Sequence, residues 1–257
     1  MERFSFKAKH VLITGASGGL GSALVQGLAQ MGSILAISSR SEKALNELIA
    51  SLPRDAQVKA ITADLSKPGE SEKLATKAIQ ALGHIDVLFN NAGIGYFSLM
   101  EEATEINIRH LFEVNAFSPL FLIQTLLPQM KKRGGGRIIN IISSGFRVPI
   151  PTVGVYNGSK SSLSAMTNTM RLELEPSGVD IINIYPGTID NSFEENAIHQ
   201  DDRPGLCPSE RCGLPRHDIA RRILKAASGP SGEVWLEREG KWYSAFSIIF
   251  QKLIDRR

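Results

Sequence analysis

Apolar runs and amphipathic stretches alternate along this chain almost without interruption. Val11 to Ile13 is a short apolar run closed by a glycine cluster, and beyond it Leu20, Ala23, Leu24, Leu28 and Met31 recur at the spacing of one helix face. That pair predicts a buried strand leading into a helix. The alternation repeats as strand over Ser33 to Ser39, helix over Glu42 to Ser51, strand near Gln57 to Thr62, helix over Glu70 to Leu82 and strand over Ile85 to Asn90. Two helical segments cover roughly Glu105 to Lys131. A strand at Gly136 to Ile142 comes next, then a long helix from Val155 to Glu175, stopped by Pro176 and Gly178, and a strand from Val179 to Tyr185. From Thr188 to Pro215 periodicity is lost among Asn, Asp, Glu, Pro and Gly, and an unstructured insertion of this length predicts a lid over about 188–217. Arg216 to Ala227 returns to helical spacing, and Glu233 to Leu236 reads as a short last strand. Regular β-α-β alternation implies an α/β fold, a doubly wound parallel sheet with helices on both faces and right-handed crossovers. With neither repeat nor linker, it predicts one domain over 1–257. Ligands of such sheets bind at the carboxyl ends of the strands.

The last stretch is less routine. Trp242, Phe246, Ile249, Phe250, Leu253 and Ile254 form an apolar stripe at helical spacing, beside Lys252, Arg256 and Arg257. A helix over about 241–257 with this face either packs on its own domain or a second subunit, or lies as a peripheral contact on a membrane surface.

Charge and cysteine content narrow the setting. The net charge of +3 is small for 257 residues, and Lys131-Lys132-Arg133 and Arg221-Arg222 read as solvated helix ends, which argues against nucleic acid as a partner. Cys207 and Cys212 sit in a polar loop where only His199 and His217 could complete a metal site, so free thiols in a reducing compartment are the expectation, with no metal. Met1 to Lys9 is too short and polar for a signal peptide, and no apolar run approaches the ~20 residues of a membrane span. A cytoplasmic protein is expected.

Candidate chemistry begins at the first glycine turn, Thr14-Gly15-Ala16-Ser17-Gly18-Gly19-Leu20-Gly21. Strand, tight turn and helix aim backbone N–H groups and a helix N-terminus at a phosphate. Gly15 can supply a torsion closed to other residues, Gly19 lets a pyrophosphate approach the main chain, and Gly21 lets the helix sit close on the sheet. After the second strand come Ser39 and Arg40, where an acidic residue would favour an unphosphorylated ribose. A hydroxyl and a planar guanidinium suit a 2′-phosphate, unless Arg40 simply faces solvent. Tyr156 and Lys160 stand four apart, hence one helical turn from each other on one face. A phenol titrates near ~10, and a neighbouring cation lowers that value, so the pair can trade a proton with a carbonyl or alcohol oxygen.

Ser143 lies thirteen residues upstream, Val114-Asn115-Ala116 sits in a helical stretch, Asn90-Asn91-Ala92-Gly93 closes the fourth strand and Pro186-Gly187 the sixth. With these elements in this order, the chain closely resembles a short-chain dehydrogenase/reductase from about Lys9 to Gly187. The resemblance implies a Rossmann-like fold and a nicotinamide dinucleotide, and it assigns roles. Tyr156 would be the acid/base, Lys160 would hold the nicotinamide ribose, Ser143 would bond the reacting oxygen, and Asn115 would bend its helix and hold a water leading to Lys160. Gly15, Ser17, Gly18, Gly19, Leu20, Gly21, Asp64, Leu65, Asn91, Ala92, Gly93, Pro186 and Gly187 would line the dinucleotide, with Asp64 accepting the adenine amino group and Asn90 bracing the sheet. Family members usually form dimers or tetramers, so a homodimer or homotetramer is implied.

The combined reading is an NADP(H)-dependent oxidoreductase interconverting a small or lipophilic carbonyl and a secondary alcohol. An epimerase or dehydratase using the same phenol, and a silent dinucleotide sensor or scaffold, are the alternatives. Tyr96, Phe97, Phe146, Val148, Ile150 and Phe193 could line an apolar pocket or equally be core. Two departures from the family pattern stand out: Asn191 replaces the usual threonine near the nicotinamide amide, and Asn157-Gly158 loosens the start of the catalytic helix.

Overall fold

The computed structural model of the chain describes residues 3–147, 149–190, 193, 196–200 and 213–236. Val148, Asn191, Cys207, Cys212 and the 241–257 stripe lie outside the described residues.

In chain order the elements are β1 (His10–Thr14), α1 (Gly19–Gln30), β2 (Ile34–Ser39), α2 (Glu42–Ala50), β3 (Gln57–Thr62), α3 (Glu70–Leu82), β4 (Val87–Asn90) and β5 (Tyr96–Phe97). Then come α4 (Glu105–Phe112), a π-helical turn (Glu113–Phe117), α5 (Ser118–Lys132), β6 (Gly136–Ile141), α6 (Gly154–Glu173) and β7 (Val179–Tyr185). The rest are β8 (Ile189–Asp190), β9 (Ile198–His199), β10 (Leu214–Pro215), α7 (Arg216–Ala227) and β11 (Gly232–Trp235). Among the described residues, seven strands form one parallel sheet in the order β11-β7-β6-β4-β1-β2-β3. The chain winds outward through β2 and β3, then crosses to β4 on the other side of β1. That reversal opens a crevice at the carboxyl ends of β1 and β4.

Alternate side chains of each strand go to opposite faces. Val11 and Ile13 of β1 join Leu24 and Leu28 of α1, Leu45 of α2, and Ile219 and Ile223 of α7. Leu12 turns the other way, to Leu74 of α3 and to Leu122, Leu126 and Met130 of α5. Burial of both faces is why these strands read as continuous apolar runs.

The segment expected to form a lid has more structure than its sequence suggested. Between 188 and 217, β8 pairs with β10, and β9 pairs with β5. Tyr96 and Phe97 are therefore core and not pocket, at 1% and 4% exposure, with the Tyr96 hydroxyl donating to Gln200 Oε1 at 3.0 Å. A second correction concerns the membrane. Glu105–Lys132 is one helical stretch of 28 residues, long and apolar enough by composition to cross a bilayer, yet half of its most apolar window is buried within the fold.

Candidate active site

The glycine turn and the end of β4 meet at the crevice. Gly15 has φ +65°, and a Cβ there would stand 2.8 Å from the Ala92 Cα. At Gly21 a Cβ would stand 2.0 Å from the Gly15 carbonyl oxygen, so α1 approaches the turn as only glycine permits. Gly18 caps α1 with no side-chain bond, and the first turn holds no acidic residue. Its N–H groups, at the positive end of the helix dipole, stay open to an anion. The Leu20 side chain is buried in the core, so this residue offers only its backbone to the crevice.

Thr14 staples the two loops. Its Oγ1 accepts the N–H of Asn91 at 3.1 Å and of Ala92 at 3.0 Å, while Asn91 Nδ2 donates to the carbonyls of Thr14 at 2.9 Å and Gly15 at 3.2 Å. The Asn91 amide thus braces the turn and does not reach outward to a ribose, although its Oδ1 is buried with no bond among the described residues. Asn90 braces the sheet as expected, donating to Asn140 Oδ1 at 2.9 Å, and Asn140 donates in turn to Asn183 Oδ1 at 2.9 Å.

At the end of β2, Ser39 spends its hydroxyl locally, donating to the Ser41 carbonyl at 3.2 Å and accepting the Ser41 N–H at 3.3 Å. Arg40 is exposed, with no ion-pair partner among the described residues. Asp64, after β3, accepts the hydroxyl of Ser66 at 2.7 Å and its N–H at 3.2 Å, with Lys67 Nζ at 3.5 Å. Burial pushes this acid upward, but Ser66 and Lys67 together hold it below the usual carboxylate range. The Leu65 side chain is buried, and its carbonyl accepts the Ser118 hydroxyl at 2.8 Å. Pro186 is buried after β7, and its carbonyl accepts the Ser144 N–H at 2.8 Å, tying the Ser143 loop to the Pro186-Gly187 turn.

Asn115 sits at the centre of the π-helical turn, fully buried. Its Oδ1 accepts the Ile94 N–H at 2.9 Å, and its Nδ2 donates to the Ile94 carbonyl at 2.9 Å and to Ser159 Oγ at 3.0 Å. Both donors are used, which leaves one oxygen lone pair for a water. Lys160 is buried, and its ammonium donates to the Ile141 carbonyl at 3.2 Å. A Cβ at Gly93 would lie 3.0 Å from Lys160 Nζ and 3.2 Å from Asn115 Oδ1, so glycine keeps the approach to both open. Ser143 lies close enough to the Tyr156 phenol to favour its charged form. The Phe193 ring meets Tyr156 edge-on at 5.7 Å between centroids.

The titration of the pair departs from the expectation of a cation-lowered tyrosine. Burial lifts Tyr156 to about 12, with the neighbouring Ser143 opposing, and burial draws Lys160 down to about 8. Lost hydration decides both shifts: Lys160 is buried and Tyr156 half-buried, and the one main-chain carbonyl bonded to the ammonium does not replace the water it has lost.

Thr14 and Ser159 carry more of the site than the sequence disclosed. A threonine ending a strand before a glycine turn, and a serine three residues past the tyrosine, were the available signals. Turn amides, the glycine-shaped gaps at Gly15 and Gly93, and the Tyr156–Lys160 pair together suit a phosphate-bearing dinucleotide.

Comparison with known proteins agrees. The short chain dehydrogenase family model matches residues 9–202. The mouse protein dehydrogenase/reductase SDR family member 7B is 33% identical over 233 residues, covering 88% of this chain and 72% of its own. A short-chain dehydrogenase from Streptomyces avermitilis matches with a TM-score of 0.84 at 26% identity, over 96% of this chain and 95% of that one. An alcohol dehydrogenase from the archaeon Thermococcus sibiricus, complexed with 5-hydroxy-NADP, matches with a TM-score of 0.77 at 29% identity, over 89% and 96% respectively. By these matches and this geometry, the chain belongs to the short-chain dehydrogenase/reductase family.

Proposed function

We propose that this chain is an NADPH-dependent oxidoreductase that interconverts a carbonyl and a secondary alcohol, with Tyr156 as acid/base. The observation that carries this reading is the cluster in which Ser143 neighbours the Tyr156 phenol while the buried Lys160 and Asn115 meet at Gly93. A bound reduced nicotinamide would supply the hydride. The chain's own residues do the rest.

Held near 12, the phenol keeps its proton at neutral pH, which is the form that carbonyl reduction needs. Ser143 Oγ accepts the Gly145 N–H at 3.2 Å, which leaves its hydrogen to donate either to the phenol oxygen or to the oxygen that gains charge. Lys160, near 8, is mostly charged at pH 7, and its ammonium favours the phenolate left behind after donation. Asn115 fixes the Ile94 backbone and Ser159 around that proton path. Arg40, exposed and without an ion pair among the described residues, is the group for a 2′-phosphate. The NADP analogue carried by the Thermococcus sibiricus enzyme supports the phosphate-bearing choice. Phe193, against the phenol, supports a small or lipophilic substrate.

The test is NADPH consumption against a panel of ketones, aldehydes and quinones, repeated with Tyr156→Phe. The variant is expected to bind NADPH normally and to lose at least ~10²-fold in turnover. Unchanged turnover would overturn the assignment.

A further inference from the structure

Ser143 does not stand alone. The Gly145–Arg147 turn that donates to its Oγ is held at both ends by residues outside the catalytic set. On the inner side, Asn157 Nδ2 donates to the Gly145 carbonyl at 3.2 Å, which links the turn to α6 one residue from Tyr156. On the outer side the turn rests on aromatic rings. Phe146 lies 5.6 Å from Tyr185 and 6.2 Å from Trp235, and the Arg147 guanidinium sits 4.6 Å from the Trp235 ring centre. Tyr185 and Trp235 are cross-strand partners on β7 and β11 and stack at 4.1 Å with an interplanar angle of 12°.

One carboxylate ties this platform together. Glu233 accepts the Tyr185 hydroxyl at 2.7 Å and Asn168 Nδ2 at 2.7 Å, and it faces Arg147 Nη2 at 3.8 Å. Its partners therefore come from β7, α6 and the turn itself. Glu233 and Trp235 are two apart on β11, so both side chains rise on the same face of the edge strand.

We propose that Glu233 and Trp235 are positioning residues for Ser143, resting on the reductase reading above. They fix the Gly145–Arg147 turn, the Gly145 N–H then occupies one lone pair of Ser143 Oγ, and the serine hydrogen is aimed at the reacting oxygen. Neither residue touches Tyr156 or Lys160. The last strand thereby acts on the chemistry through the loop after β6.

Two measurements test this, one of them independent of turnover. Hydrogen exchange of the Gly145 amide is followed by NMR in the full chain and in Glu233→Gln, Glu233→Ala and Trp235→Leu. Exchange at Gly145 is expected to quicken at least about 5-fold while Ile139 of β6 stays protected. For turnover, loosening by a fraction of an ångström is expected to lower kcat about 10-fold, with the KM for NADPH within about 2-fold. On the residual turnover of Ser143→Ala, adding Glu233→Ala should cost less than about 2-fold, because the group being aimed is gone. Equal multiplicative losses in both backgrounds, or unchanged Gly145 exchange, would overturn the positioning role even where Tyr156→Phe is inactive. A fully active Tyr156→Phe would instead overturn the reductase reading and this inference with it. Glu233→Gln keeps an acceptor for Tyr185, so it guards against a result caused by misfolding alone.

Discussion

Replacing Arg40 with alanine should separate the two nicotinamide cofactors. Arg40 comes directly after β2, is exposed, and has no ion-pair partner among the described residues, so no described carboxylate competes for its guanidinium. A hydrogen bond to a charged partner is worth about 1.5–3 kcal/mol net. Water and salt reach this site and weaken the pair, so the value falls to the bottom of that range and a little below it, about 1–2 kcal/mol. At ~1.4 kcal/mol per decade, Arg40→Ala should weaken NADPH about 5- to 30-fold. NADH, which lacks the phosphate, should change less than about 2-fold. Cofactor fluorescence titration measures both without needing a substrate. Raising ionic strength should erode NADPH affinity of the parent chain and barely alter the variant, since screening acts on the pair that has been removed. Equal losses for both cofactors, or none, would refute the phosphate assignment. Arg40→Asp should go further and put NADH ahead, because an acid there bonds ribose hydroxyls and repels the phosphate.

Other perturbations probe the same geometry. Lys160 titrates near 8 in the fold against an ordinary 10.5, so the unfolded chain holds the extra proton between those values and stability should rise with pH across that window. Lys160→Met should then raise thermal stability at pH 7 by up to about 3 kcal/mol while abolishing turnover, and a lower melting temperature would contradict the burial penalty. Carbonyl reduction should decline as pH passes 8 and the ammonium loses its charge, and a rate flat from pH 7 to 9 would exclude that cation from the chemistry. Gly21→Ala, whose Cβ would meet the Gly15 carbonyl at 2.0 Å, should cost about 1–3 kcal/mol in urea denaturation and loosen dinucleotide binding. Asn91→Ala strips both donors from the Thr14 and Gly15 carbonyls and should destabilise by about 1–3 kcal/mol, whereas a neutral result would mean that water replaces the staple.

The long elements were legible because periodicity reports burial. The strand ending at Thr62 and the helices starting at Glu42, Glu70 and Arg216 fall where the pattern of apolar residues puts them. What escaped was short or remote. The strands at Tyr96–Phe97 and Ile198–His199 hold two residues each, too few to show a period, so the sequence could not tell whether this pair of aromatics was core or pocket lining. Tyr156 and Lys160 could be paired by spacing, but their titration depends on enclosure, which residue order does not encode. The company of Ser143 was hidden for a different reason. Glu233 and Trp235 reach the turn only through the sheet order, far downstream of the loop they support.

The wide turn at Glu113–Phe117 has a consequence for how this chain can change. A π-type turn takes in one residue more than an α-helix over the same stretch, so the helix beyond it is rotated by about 100° relative to a straight one. Excising that residue would mend the helix locally and, in the same stroke, either swing Asn115 off Ile94 and Ser159 or spin the buried face of α5 away from α3. The irregularity is thus locked from two sides, like a tooth in a ratchet, and lengthening or shortening the segment should be tolerated far less than exchanging its exposed side chains.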